Sequence, residues 1–253
     1  MTGATPADRL QQVIALYQQG NLQAAGHLAE QLLRNHPGDA TLLEITAVIA
    51  MQSGNPELAI EHFNKQLERQ PGNALAHSNL CMALHSLDRD EDAFQHGQQA
   101  ILLDPGLADA WNNLGNIYKS GNNLDKALEH FDKALELDNS DPRVHVNAGS
   151  VSQLLGDLET AESRYRTALQ IYPEFAAAYS NLGAVLQRQQ HYKAAEEAYL
   201  QALKLQPDNP EILVNYGSFL LERNVIEKAR EQLDRAIRVD PNHVRACHSG
   251  QPL

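Results

Sequence analysis

The chain has 253 residues and a formal net charge of −12, so it lacks the basic surplus that holds a phosphate backbone or an anionic lipid surface. Its two cysteines, Cys81 and Cys247, stand near opposite ends, which argues against a disulfide framework. The start, MTGATPADRL, lacks a basic segment followed by an apolar one, and no window approaches the roughly 18 apolar residues of a membrane span. A cytoplasmic protein, with neither nucleic acid nor membrane as partner, is the expectation.

In chain order, residues 1–5 read as a flexible N-terminus. A repeating unit then begins at Pro6, Ala40, Ala74, Ala108, Pro142, Ala176 and Pro210, with no insertion between units. Counting from each start, position 20 is always alanine: Ala25, Ala59, Ala93, Ala127, Ala161, Ala195 and Ala229. Only a small side chain lets a second helix lie close on a first, and alanine supplies it without glycine's helix penalty. Position 27 repeats the choice in Ala100, Ala134, Ala168, Ala202 and Ala236. Position 8 is Gly115, Gly149, Gly183 and Gly217, preceded by Val13, Ala47 and Cys81, and is predicted to face the same close approach.

Pro37, Pro71, Pro105, Pro173, Pro207 and Pro241 share one register position, where a proline can neither donate the next backbone bond nor fit the preceding turn, and so ends each second helix. Asn139 takes that place once. Asp39, Asn73, Asp141 and Asn209 stand where they cap the next first helix. The large apolar residues, Trp111 and Tyr179 at position 4, Leu80, Leu114, Leu182 and Tyr216 at position 7, and Phe63, Phe131, Tyr165, Tyr199 and Leu233 at position 24, are predicted to form the core. The first two units depart from this pattern with Arg9, Gln12, Leu43 and Thr46. After His243, the run VRACHSGQPL over 244–253 reads as the truncated start of a further helix or a tail, of a longer protein or of one whose last hairpin pairs with another molecule.

The unit from Ala108 to Asp141, with Trp111-x-x-Leu114-Gly115-x-x-Tyr118, then Ala127-x-x-x-Phe131 and Ala134, resembles the tetratricopeptide repeat. The resemblance implies an all-α fold, a right-handed α–α superhelix of about seven helix-turn-helix repeats over residues 6–243.

Asn79, Asn113, Asn147, Asn181 and Asn215 recur at position 6 in five consecutive units. An asparagine amide offers both a donor and an acceptor, the pair that grips a peptide backbone without reading its side chains. The ladder resembles that of the repeat region of O-GlcNAc transferases, which implies an extended polypeptide held along the concave wall. The same position is also compatible with a merely solvated residue. Asn112, Asn116, Lys119, Arg143 and Arg188 stand near it and complete the candidate peptide-binding set. In the early units Ile45, Val48, Met51 and Met82 form a more apolar stretch, read either as an anchor site or as contact with the first hairpin.

Other chemistry is not expected. Bases beside the asparagines, as a carboxylate clamp needs, are missing except for Arg143. His62, His96 and His130 recur at position 23, but helices stacked about 10 Å apart hold such side chains too far from one another to share a zinc ion. No nucleophile elbow, phosphate loop, dinucleotide fingerprint or shielded carboxylate pair occurs, so no catalytic residue, metal or cofactor is assigned. The sequence points to a non-enzymatic scaffold binding an extended peptide or a partner helix. The alternatives are a substrate-recruiting arm of a larger transferase, of the O-GlcNAc transferase, SPINDLY-like or repeat-bearing sulfotransferase kind, and a scaffold that assembles with itself.

Overall fold

A computed structural model describes residues 6–241. The predicted flexible N-terminus, the tail over 244–253, and Cys247, His243 and His248 lie outside the described residues. Within them the chain is all-α: α1 (Pro6–Gln18), α2 (Leu22–Asn35), α3 (Ala40–Gln52), α4 (Pro56–Arg69), α5 (Ala74–His85), α6 (Asp90–Leu103), α7 (Ala108–Ser120), α8 (Leu124–Leu137), α9 (Pro142–Leu155), α10 (Leu158–Ile171), α11 (Ala176–Arg188), α12 (Tyr192–Leu205), α13 (Pro210–Glu222) and α14 (Ile226–Val239). Fourteen helices taken in pairs make the seven-repeat, all-α solenoid class that the register implies. They fall into two compact units, one ending at Asn123 and one starting at Leu124.

Helix ends follow local chemistry. Asp39 Oδ1 accepts from the Leu42 N–H at 3.0 Å, Asn73 from Ala76 at 3.0 Å, Asp141 from Arg143 at 2.8 Å and Asn209 from Ile212 at 3.2 Å, the four expected caps. Asn21, Asn55 and Asp157 do the same for second helices. Every second helix stops ahead of the proline position, and α8 stops at Leu137 even though Asn139 stands there instead.

The turn inside each repeat carries a requirement the spacing did not announce. Position 15 has a positive φ in all seven repeats: Gly20, Gly54 and Gly156 at 74°, 73° and 88°, and Asp88, Asn122, Gln190 and Asn224 at 56°, 56°, 63° and 59°. A Cβ built on any of the three glycines meets nothing within 4 Å, so the constraint is conformational and not steric. Asn and Asp tolerate the left-handed region through local hydrogen bonding, whereas glutamine's longer side chain has no such relief. Gln190→Asn is therefore expected to stabilise the protein by about 0.5 kcal/mol, read as a raised urea midpoint at unchanged slope; a lowered midpoint would contradict it.

In the first unit one cluster gathers Val13, Ala25, Leu32, Leu43 and Ile49, and a second gathers Phe63, Leu80, Leu84, Leu114 and Ile117. Ile45 packs on the first of these, and Val48 and Met51 pack on the second, so most of the early apolar stretch is spent on repeat contacts; Met82 is 39% exposed. In the second unit Tyr165, Leu182, Val185, Tyr199, Tyr216 and Phe219 share one cluster.

Two core expectations need correction. Trp111 and Tyr179 are half-buried and not interior. Position 4 instead serves the preceding turn: the ring N–H groups of His77, Trp111 and His145 donate to the carbonyls of Pro71, Pro105 and Asn139 at 3.1, 3.0 and 3.0 Å. The position 8 glycines, second, make room for the position 24 ring more than for the alanine seam. An added Cβ would lie 2.8 Å from Tyr165 Cε1 at Gly149, 2.9 Å from Tyr199 Cδ1 at Gly183 and 2.8 Å from Leu233 Cδ2 at Gly217. The third repeat inverts the pair, with Cys81 opposite Gly97.

The three histidines at position 23 find separate partners. His62 Nε2 lies 2.8 Å from Glu30 Oε1, and His130 Nδ1–H donates to the Lys126 carbonyl at 2.8 Å. His96 Nδ1 lies 2.8 Å from His77 Nδ1. With the His77 Nε2–H spent on Pro71, His77 Nδ1 is left to accept and the His96 Nδ1–H donates; burial, then His77, lowers the His96 pKa.

Candidate functional site

The asparagine ladder lies on first helices, and its members differ in what they already hold. In the first unit Asn79 is on α5 and Asn113 on α7. The Asn113 amide N–H donates to the Ser78 carbonyl and Oγ, each at 3.0 Å. In the second unit Asn147, Asn181 and Asn215 lie on α9, α11 and α13, and Asn215 Nδ2 donates to Ser180 Oγ at 3.2 Å. Both serines occupy position 5 of the preceding repeat, and both are buried. Position 6 of one repeat thus abuts position 5 of the repeat before it.

That juxtaposition explains Asn181, behind which stands Val146 with no polar side-chain atom to offer; behind Asn79 stands Glu44, and the two side chains share no hydrogen bond. Asn79 and Asn181 make no hydrogen bond within the described residues, so each keeps a donor and an acceptor. Asn113 and Asn215 keep their Oδ1 as an acceptor. All five ladder residues are partly exposed.

The surrounding candidates divide similarly. Asn116 is half-buried; its carbonyl accepts from Ser120 Oγ–H at 3.1 Å, and its side chain makes no hydrogen bond among the described residues. Lys119 is half-buried without an ion pair, and burial lowers its pKa from the ordinary lysine value. Three others are placed otherwise than expected. Asn112 is 8% exposed and belongs to the packing. The Arg143 guanidinium turns back to Asp141 at 2.6 Å, completing the cap of its own helix. Arg188 Nη1–H donates to the Gln153 carbonyl at 2.9 Å and so satisfies the end of α9. Arg188 adds a second bond to a carbonyl that already accepts from the Gly156 N–H at 3.2 Å, and both arginines are engaged within the fold.

Among the described residues no group of three or more His, Cys, Asp or Glu is placed to hold a metal ion. Cys81 is buried, which pushes its thiol up to about 12 and leaves it a poor nucleophile at neutral pH. No helix among them is long and apolar enough to cross a membrane.

Four family models described as tetratricopeptide repeat match the chain, over residues 108–141, over 10–74 and 51–108, over 140–208 and over 186–250. No match was found among curated proteins. Among solved structures, a chain of the APC/C hetero-tetramer Cut9-Hcn1 is similar at 20% identity and a TM-score of 0.83, covering 93% of this chain and 47% of that one. This chain therefore spans about half of that protein's length. PilF of Pseudomonas aeruginosa is similar at 23% identity and a TM-score of 0.68, covering 86% of this chain and 97% of that one. YrrB, described as a repeat protein with an unusual peptide-binding site, is 25% identical at a TM-score of 0.56, covering 76% of this chain and 99% of that one.

Proposed function

The chain belongs to the tetratricopeptide repeat family, whose members are protein-interaction scaffolds, and from that premise we propose that it binds an extended peptide through the backbone amides of its partner. The observation that carries this reading is the state of the ladder: Asn79 and Asn181 keep both halves of their amide, and Asn113 and Asn215 keep an acceptor, each partly exposed on a first helix. A peptide unit presents one N–H and one C=O, which is what a free carboxamide matches. Each unit offers its own pair, Asn79 with Asn113 in the first and Asn181 with Asn215 in the second. Asn116, one turn further along the same helix, adds a donor beside Asn113. The similarity to YrrB, itself described as having a peptide-binding site, favours a peptide over other partners.

The matched families describe repeats alone and carry no catalytic signature. The proposed role is recognition and not chemistry. The test separates recognition from stacking. Replacing Asn79 and Asn181 together by Ala should reduce the set of proteins captured from a lysate while leaving the melting temperature unchanged, since neither side chain bonds within the fold. Asn113→Ala and Asn215→Ala should in addition each cost about 0.5–1.5 kcal/mol, the worth of the bond to serine. Capture that survives the Asn79 and Asn181 double variant would defeat the proposal.

A further inference from the structure

Two pairs of successive second helices are braced by side chains from positions 23 and 25. In the first unit His62 at position 23 reaches back to Glu30 at position 25 of the preceding repeat, 2.8 Å away. In the second, Arg164 Nη2 lies 2.6 Å from Asp132 in the same relation. A base at position 23 meets an acid at position 25 both times.

The sixth repeat breaks this strut twice. Position 23 is Leu28, His62, His96, His130, Arg164 and Gln232 in the other six repeats, all long, but it is Ala198 in the sixth. Position 25 of the repeat before it is Arg166, where Glu30 and Asp132 place an acid. An open cavity of ≈ 430 Å³ results, with Leu182, Leu186, Ala194 and Ala198 as its floor and Arg166 and Tyr179 at its edge. Its size falls in the range of about 300–1,000 Å³ typical of small-molecule pockets. Arg166 Nε–H donates to Glu162 on its own helix at 2.8 Å. Its two Nη groups have no partner among the described residues, nor has the Tyr179 hydroxyl.

We propose that this cavity on α10, α11 and α12 binds a carboxylate carried on an apolar body. The carboxylate takes the place of the missing acid and meets the two Arg166 Nη groups in the fork geometry that guanidinium favours. The apolar body packs against Leu182, Leu186, Ala194 and Ala198. Glu197 also lines the cavity and repels any second negative charge, so the ligand carries one acidic group. The site stands on second helices and is distinct from the asparagine ladder.

Two probes distinguish the sources of such a group: 3-phenylpropionate for a free small acid, and acetyl-Leu-Glu-Leu-amide for an acidic residue of a partner protein. Titration followed by amide chemical shifts should show saturable changes on α11 and α12 with a millimolar dissociation constant for at least one probe, and the tighter probe names the source. The neutral 3-phenylpropan-1-ol should bind several-fold more weakly than the acid. Ala198→His, which restores a side chain that three other repeats carry there, should abolish the shifts. Arg166→Gln, at a half-exposed position that leaves the packing intact, should reduce acid binding to the level of the alcohol. No saturable shift with either probe, an alcohol that binds as well as the acid, or binding indifferent to Arg166→Gln would each overturn the proposal.

Discussion

Tyr199→Ala is expected to lower the unfolding free energy by about 3–5 kcal/mol, as for other fully buried aromatics. The ring is 1% exposed and sits in the second unit's main cluster, with its centroid 5.5 Å from Phe219 and 5.9 Å from Tyr216. Gly183 exists to admit it, since even a methyl there would lie 2.9 Å from the ring. Removing the ring therefore leaves a cavity whose opposite wall is a helix backbone, which cannot collapse into it. The hydroxyl is a separate matter: it donates to Gln187 Oε1 at 3.0 Å, and Tyr199→Phe should cost only about 1 kcal/mol. Chemical denaturation followed by circular dichroism measures both. Each repeat leans on its neighbours, so the Ala variant should also lose cooperativity and melt in two steps. A loss below that of Tyr199→Phe would show that the ring is not what ties the sixth repeat together.

Gly97→Tyr is the second large effect, and its sign runs against the repeat pattern. Position 24 is aromatic in Phe63, Phe131, Tyr165 and Tyr199, so writing a ring at Gly97 makes the third repeat look more regular. The structure forbids it. A Cβ at Gly97 already falls 2.7 Å from Leu114 Cδ2 and 3.1 Å from Cys81 Sγ. In this repeat the volume comes from Cys81 at position 8 and from Leu114 of the next first helix. Gly97→Tyr should therefore destabilise by about 1–3 kcal/mol, the usual cost of overpacking, despite the gain in helix propensity. Adding Cys81→Gly, which restores the Gly149 and Tyr165 arrangement, should recover part of the loss. A single variant as stable as the parent would mean that Leu114 can turn aside freely.

These cases show how far the residues alone carry the reading. The repeat starts, the alanine seam, the proline stops and the four first-helix caps are local or strictly periodic features, and a periodic feature in a repeat protein has one structural meaning seven times over. The left-handed residue at position 15 was written in Gly20, Gly54, Asn122, Gly156 and Asn224, but Asp88 and Gln190 obscure it. Trp111 reads as core from its size, but its N–H donates to the turn carbonyl of Pro105, and that bond holds the ring near the surface.

The candidate site divides along a similar line. The register of the five asparagines was legible, because equal spacing puts equal residues on equal faces. Which amides stay available was not, because it depends on position 5 of the preceding repeat: Ser78 and Ser180 occupy the donors of Asn113 and Asn215, while Val146 leaves Asn181 alone. Likewise Arg143 and Arg188 looked like partners for a ligand until the helix ends claimed them.

The helices, their pairing into repeats and the family follow from the order of residues alone, because capping, punctuation and side-chain size act within a repeat or between adjacent ones at constant offset. Which polar groups remain unspent, and the cavity lined by Ala198 and Arg166, emerge from the packing of one repeat on the next. Those outcomes rest on distances between side chains from different repeats, where a single change of size or charge alters the contact without altering the fold.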